Sequence, residues 1–141
     1  MSVEVKKHEF CSAAWVEQAE RILNELAAEM GESLAGHSFC LCEVFTYAPL
    51  HLRDALACVA WHFVLADGRV QAALGERGDA DLRIEADYET AASYARKRVP
   101  LAAGDAPPAA SIKMTGDPAS IPPPIDRLLA PLHNRLVSIT A

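Results

Sequence analysis

Asp67-Gly68, set between two runs of strand-forming residues, limits what this chain can fold into more than any other feature. A two-residue hairpin loop needs positive φ at its central positions, and Asp-Gly tolerates it. Once the turn is placed the register follows, because antiparallel partners step outward in pairs. Ala66 faces Arg69, Leu65 faces Val70, Phe63 faces Ala72 and Trp61 faces Leu74. The opposite side of the ribbon pairs Val64 with Gln71, His62 with Ala73 and Ala60 with Gly75. The six residues paired from Leu65–Val70 to Trp61–Leu74 are all apolar, so theirs is the core-facing side: Trp61, Phe63 and Leu74 are expected to be buried there and Gln71 is not.

A chain of 141 residues that is 51% hydrophobic suits one domain over residues 1–141. At that size it buries roughly two thirds of its unfolded surface without needing a disulfide or metal staple. A net charge of -6 speaks against a nucleic-acid surface, which rests on clustered Lys and Arg. The first ten residues alternate charged and apolar side chains and hold no apolar signal core. No hydrophobic stretch approaches the ~20 residues of a spanning helix. A cytoplasmic location is the expectation, with Cys11, Cys40, Cys42 and Cys58 reduced.

Along the chain, Ser12 is placed to cap a helix over Ala13–Met30, with Gly31 to end it. Trp15, Ala19, Ile22, Leu23, Leu26 and Met30 form its apolar stripe. Residues 37–47 read as a strand apolar on both sides, hence central or cavity-lining: Phe39, Leu41, Glu43, Phe45 and Tyr47 share one face, Cys40, Cys42, Val44 and Thr46 the other. Residues 80–86 alternate as a half-buried strand, and Asp87 can cap a short helix from Tyr88 to about Arg98. Residues 99–110, with Pro100, Gly104, Pro107 and Pro108, form a loop, and residues 111–115 a fifth strand. The tail sets Ile125, Leu128, Leu129, Leu132 and Leu136 on one helical face, but Pro131 predicts a kink or two successive helices.

This order of elements resembles the sterol-carrier-protein family. The residues that carry the likeness are Gly78-Asp79-Ala80-Asp81-Leu82-Arg83-Ile84, then Asp87-Tyr88-Glu89, then Ile112-Lys113-Met114-Thr115-Gly116-Asp117. The resemblance implies an α+β fold: a five-stranded, mainly antiparallel sheet packed with N-terminal and C-terminal amphipathic helices, enclosing an apolar cavity. It implies a tunnel for sterols, fatty acids or acyl-CoA-like molecules, and neither catalytic residues nor a cofactor. The long loop at residues 99–110 departs from the family's pattern, and Ile139-Thr140-Ala141 is not the peroxisomal address some members carry.

The expected lining is Phe45, Trp61 and Phe63 from the sheet with Leu128, Leu129 and Leu132 from a movable tail, the plain alternative being that these six fill a solid core. Glu43 shares the face of Phe39, Leu41 and Phe45, where an unpaired carboxylate is costly. It belongs at a cavity mouth, beside a base, or in a role orienting the ligand. The competing function is a small cavity enzyme of isomerase or hydrolase type, using Glu43 with His37 or His62. A zinc site from Cys40, Cys42, Cys58 and His62 has no recognised spacing, so no metal is expected. The partner expected is an apolar small molecule, and a homodimer stays open.

Overall fold

The computed structural model describes residues 6–97, 112–117, 119 and 121–141. Ser12 accepts a hydrogen bond from the Trp15 amide at 3.2 Å, satisfying one of the donors that a helix start leaves open, and helix α1 (Ala13–Met30) follows. It stops at Gly31, where a φ of 56° turns the chain and the glycine N–H returns to the carbonyls of Ala27 and Ala28. Val16 and Ala27 join Trp15, Ala19, Ile22, Leu23 and Leu26 on the buried stripe. These are the bounds that the sequence predicts. A 3₁₀ turn (Gly31–Leu34) then leads into the sheet.

The sheet comprises β1 (Ser38–Thr46), β2 (Val59–Ala66), β3 (Arg69–Leu74), β4 (Leu82–Asp87) and β5 (Ile112–Thr115), in the order β3-β2-β1-β4-β5. The two-sided strand β1 is central, antiparallel to β2 and parallel to β4. The remaining pairings, β2 with β3 and β4 with β5, are antiparallel. The hairpin has the predicted register from Trp61↔Leu74 to Ala66↔Arg69. Its turn places Asp67 at φ 52° and Gly68 at φ 73°, as a type I′ turn demands.

One expectation about the hairpin fails. Trp61 and Phe63 are each 1% exposed, but Leu74 is 45% exposed. Leu74 shares their side of the sheet, but it is the last residue of an edge strand and lies in an open groove beside Ala13, Val16 and Glu17 at the start of α1. Register and burial are separate facts: pairing fixes which way a side chain points, and only a second layer buries it.

A parallel neighbour cannot be held by a tight turn, so β4 needs another device to set it on β1. Asp81 supplies it, its carboxylate accepting the Cys40 amide at 2.8 Å while its own N–H donates to the Cys40 carbonyl at 2.9 Å. Gly116, just past β5, packs on the same point at φ 108°, and a Cβ there would run into the Asp81 carbonyl oxygen. Asp81 and Gly116, both in the motifs that carried the family likeness, thus close the half of the sheet beyond β1. The predicted loop at residues 99–110 lies outside the described residues.

Asp87 accepts the Thr90 amide at 3.2 Å and starts α2 (Tyr88–Ala95), which ends three residues before the predicted Arg98. The tail forms two helices, α3 (Pro123–Leu129) and α4 (Leu132–Val137), divided at Pro131 as that residue predicts. All four helices contribute to one hydrophobic cluster with the inner face of the sheet. The tail is woven into that cluster: Ile125, Leu128 and Ile139 are each at most 1% exposed. Burial of such a side chain contributes about 1.5–3 kcal/mol. The Trp15 indole N–H also donates to Thr140 Oγ1 at 3.0 Å, and Ala141 donates its N–H to the His8 carbonyl at 2.9 Å.

Candidate functional site

On the inner face of β1, Glu43 stands between Trp61 of β2 and Ile84 of β4. Above these residues the core does not close, and a cavity of about 220 Å³ remains. Its deep side is aromatic, with Phe10 and Trp15 from the start of the chain and Phe45 from β1; Glu43, Ile84 and Ala86 complete the sheet wall. Thr90, Ala91, Tyr94 and Ala95 of α2 and His133 and Leu136 of α4 form the side opposite. The opening has a plain steric cause. Three of these positions, Ala86, Ala91 and Ala95, are alanine, and their side chains leave space between α2 and the sheet that larger residues would fill.

Glu43 has no cationic partner among the described residues. Its Oε1 accepts the Trp61 indole N–H at 2.9 Å. Burial pushes its carboxyl up to about 7, against the opposing pull of the Trp61 bond. The residue keeps some accessible surface although protein surrounds it in depth, and that surface faces the cavity it lines. Among the described residues no sealed side-chain oxygen or nitrogen lacks a partner, so the second carboxyl oxygen is open to the cavity rather than stranded.

The nearby groups are poorly suited to nucleophilic chemistry. Burial, with the Glu43 charge adding to it, holds the Cys11 thiol well above its ordinary range and therefore neutral. Burial likewise pushes Tyr88 up to about 12, and its hydroxyl donates to the Phe10 carbonyl at 2.8 Å. His133 has Nε2 2.7 Å from the Lys97 carbonyl oxygen and its ring 4.3 Å from that of Tyr94.

Of the seven positions expected at the site, Glu43 and Phe45 stand on the cavity wall. Trp61 is sealed beneath it, edge-on to Trp15 at 5.1 Å, and touches the site through its bond to Glu43. Phe63, Leu128 and Leu132 are buried in the solid part of the core, and Leu129 is half-buried against it. The sequence reading missed Phe10, Trp15, Ile84, Ala86, the wall residues of α2 and His133, whereas Leu136 stands on the apolar stripe of the tail that it expected at the site. One signal was available: the run Thr90-Ala91-Ala92-Ser93-Tyr94-Ala95 is mostly small residues, which leave room on the inward side of a helix.

The predicted partners of Glu43 are elsewhere. His62 pairs with Cys42 on the other face of the sheet, its Nδ1 2.9 Å from the Gly75 carbonyl oxygen. His37 precedes Glu43 by six residues, about 20 Å along an extended strand. Alternation thus turns His62 away from the carboxylate, and distance along the strand separates it from His37. Cys40 and Cys42 also face away from the cavity, and Cys58 donates its thiol proton to the Leu56 carbonyl at 3.4 Å. Among the described residues no three His, Cys, Asp or Glu side chains are grouped to hold a metal ion, and no helix is long and apolar enough to cross a membrane.

No protein-family model matches the chain, and no curated protein matches it. Solved structures do resemble it. The crystal structure of sterol carrier protein 2 superposes with a TM-score of 0.66 over 94% of this chain and 100% of its own, at 21% identity. The solution structure of a conserved hypothetical protein of Thermus thermophilus, itself a candidate sterol carrier protein, superposes with a TM-score of 0.61 over 100% of this chain and 96% of its own, at 22% identity. Similarity of this grade speaks for architecture rather than ligand. With its mixed sheet, its helices gathered on the inner face and these two likenesses over nearly its whole length, the chain has the sterol-carrier-protein fold.

Proposed function

We propose that the chain binds and carries an apolar small molecule, of the sterol, fatty-acid or acyl-CoA-like kind, without chemistry on it. The observation that supports this most is the cavity itself: about 220 Å³ of unfilled space, apolar on most sides, inside a core otherwise closely packed. Apolar space of this sort is unfavourable when empty and gains by being filled. Pockets for drug-sized ligands run from about 300 to 1,000 Å³, so this one holds an alkyl segment as it stands, and a sterol requires α2 and α4 to separate. The absence of a nucleophile and base in contact on the described wall favours carriage over the enzymatic alternative.

Mass spectrometry of an organic extract of the purified protein tests the reading, followed by titration with a fluorescent fatty acid. A lipid near one per protein, displaced by the probe, is the expected result. An empty extract together with no probe binding at micromolar concentration would remove the reading.

A further inference from the structure

Glu43 gives the cavity a polar end that the holding of an alkyl chain does not require. The alternation of β1 places this residue among Phe39, Leu41 and Phe45 on the inner face. There a carboxylate desolvates at a cost that a hydrophobic residue of similar size would avoid. One oxygen is held by Trp61 and the other is open to the cavity. No lysine or arginine among the described residues reaches it. Of the other ionisable groups near it, the thiols of Cys11 and Cys42 are held neutral by burial, and Tyr94 and His133 stand on the wall opposite, His133 with its Nε2 2.7 Å from the Lys97 carbonyl oxygen. The site therefore offers an acceptor that, once ionised, has no lysine or arginine among the described residues to match it.

The surrounding rings complement the same partner. Phe10 lies 5.0 Å from Trp15 and 4.9 Å from Phe45 between ring centroids, and all three line the cavity with Glu43. Aromatic faces attract cations, most of all where water is excluded. Above the Glu43 value an incoming carboxylate would meet a like charge at this end, and a hydroxyl would find one acceptor. An ammonium finds the carboxylate and the rings together.

Resting on the reading of the cavity as an apolar-ligand site, we propose that Glu43 anchors the protonated amine of a single-chain amphiphile, whose alkyl chain runs between α2 and the sheet. The ligand would then be a long-chain amine, rather than a fatty acid entering head first.

Calorimetry with dodecylamine, dodecanol and dodecanoate at a pH of about 8, where Glu43 is mostly ionised and the amine still protonated, each below its micelle concentration, tests this on the parent protein and on Glu43→Gln. The glutamine can still accept from Trp61 but offers the cavity an amide in place of a charge. The amine should bind the parent at least ~10-fold more tightly than dodecanoate, and the variant should lose that preference while keeping dodecanol within ~3-fold. Equal affinity of the parent for amine and carboxylate overturns the anchor while leaving the apolar-ligand reading in place, and so does an unchanged amine affinity in the variant. If none of the three binds, both readings fail. The ranking on the parent decides the matter even if the variant does not fold.

Discussion

The inner face of the sheet is solid on one side of β1 and hollow on the other. Under α1, the hairpin presents Trp61, Phe63, Leu65 and Val70, each 4% exposed or less, to Ile22, Leu23 and Leu26, so large side chains meet large ones. Past β1, the sheet offers Glu43, Ile84 and Ala86, and α2 answers with Thr90, Ala91 and Ala95. The two halves share one sheet and differ in what the helices bring to it. The cavity thus lies where small residues meet across the layers, Ala91 and Ala95 of the covering helix against Ala86 of the sheet.

Trp61 is the joint between the halves, because it packs on Trp15 in the solid part and donates to Glu43 at the edge of the hollow one. Trp61→Ala should have the largest effect of any single truncation considered, about 3–5 kcal/mol of stability. Urea denaturation measures it. A loss below ~1 kcal/mol would mean that the solid half is not solid.

The hollow half should declare itself through pH. Glu43 has its carboxyl pushed from 4.5 to about 7 in the folded protein, so between those values the folded state binds more protons than the unfolded one. Stability contributed by the neutral acid is complete below the unfolded value and is lost as pH rises through the folded one, a fall on the order of 3 kcal/mol at most. Glu43→Gln should flatten that stretch of the profile. If parent and variant trace the same curve of stability against pH, the carboxylate is not desolvated and the hollow is open to water.

The two halves were also unequally legible. In the solid half, Asp67-Gly68 determined the register and Ser12 with Gly31 bounded α1, because turns and caps are local chemistry that a few neighbouring residues decide. Leu74 shows the limit, since its direction was local but its cover was not. In the hollow half, strand alternation put Glu43 and Phe45 on the correct face of β1. The residues opposite them come from α2 and α4, more than 40 positions further on, and nothing in β1 reports which helix will cross it or at what distance. Large apolar residues drew attention to Leu128 and Phe63, whereas a cavity is made where side chains are missing. The informative residues were Ala86, Ala91 and Ala95, whose small size has no signature unless the partner surface is known.

Enlarging an alanine in each half sharpens the contrast. Ala19 of α1 has no exposed surface and faces the packed hairpin side. Ala19→Leu should therefore force its neighbours apart and cost about 1–3 kcal/mol, as overpacking commonly does. Thermal unfolding reads this directly, and a neutral result would reveal unfilled space under α1.

The same change at Ala91 should do little to stability and more to binding. Ala91 is half-buried on α2 and faces the cavity, so the added carbons of a leucine enter space that no side chain now occupies. Their burial and their crowding of Tyr94 and Ile84 are opposed, and stability should stay within ~1 kcal/mol of the parent. What the leucine removes is room for a ligand. Binding of a fluorescent fatty acid should fall by at least ~10-fold, while Ala19→Leu, measured where it is still folded, keeps the parent's affinity. Should Ala91→Leu bind as well as the parent, the ligand does not lie between α2 and the sheet. Should it destabilise as much as Ala19→Leu, the space beside α2 is already filled and the two halves are packed alike.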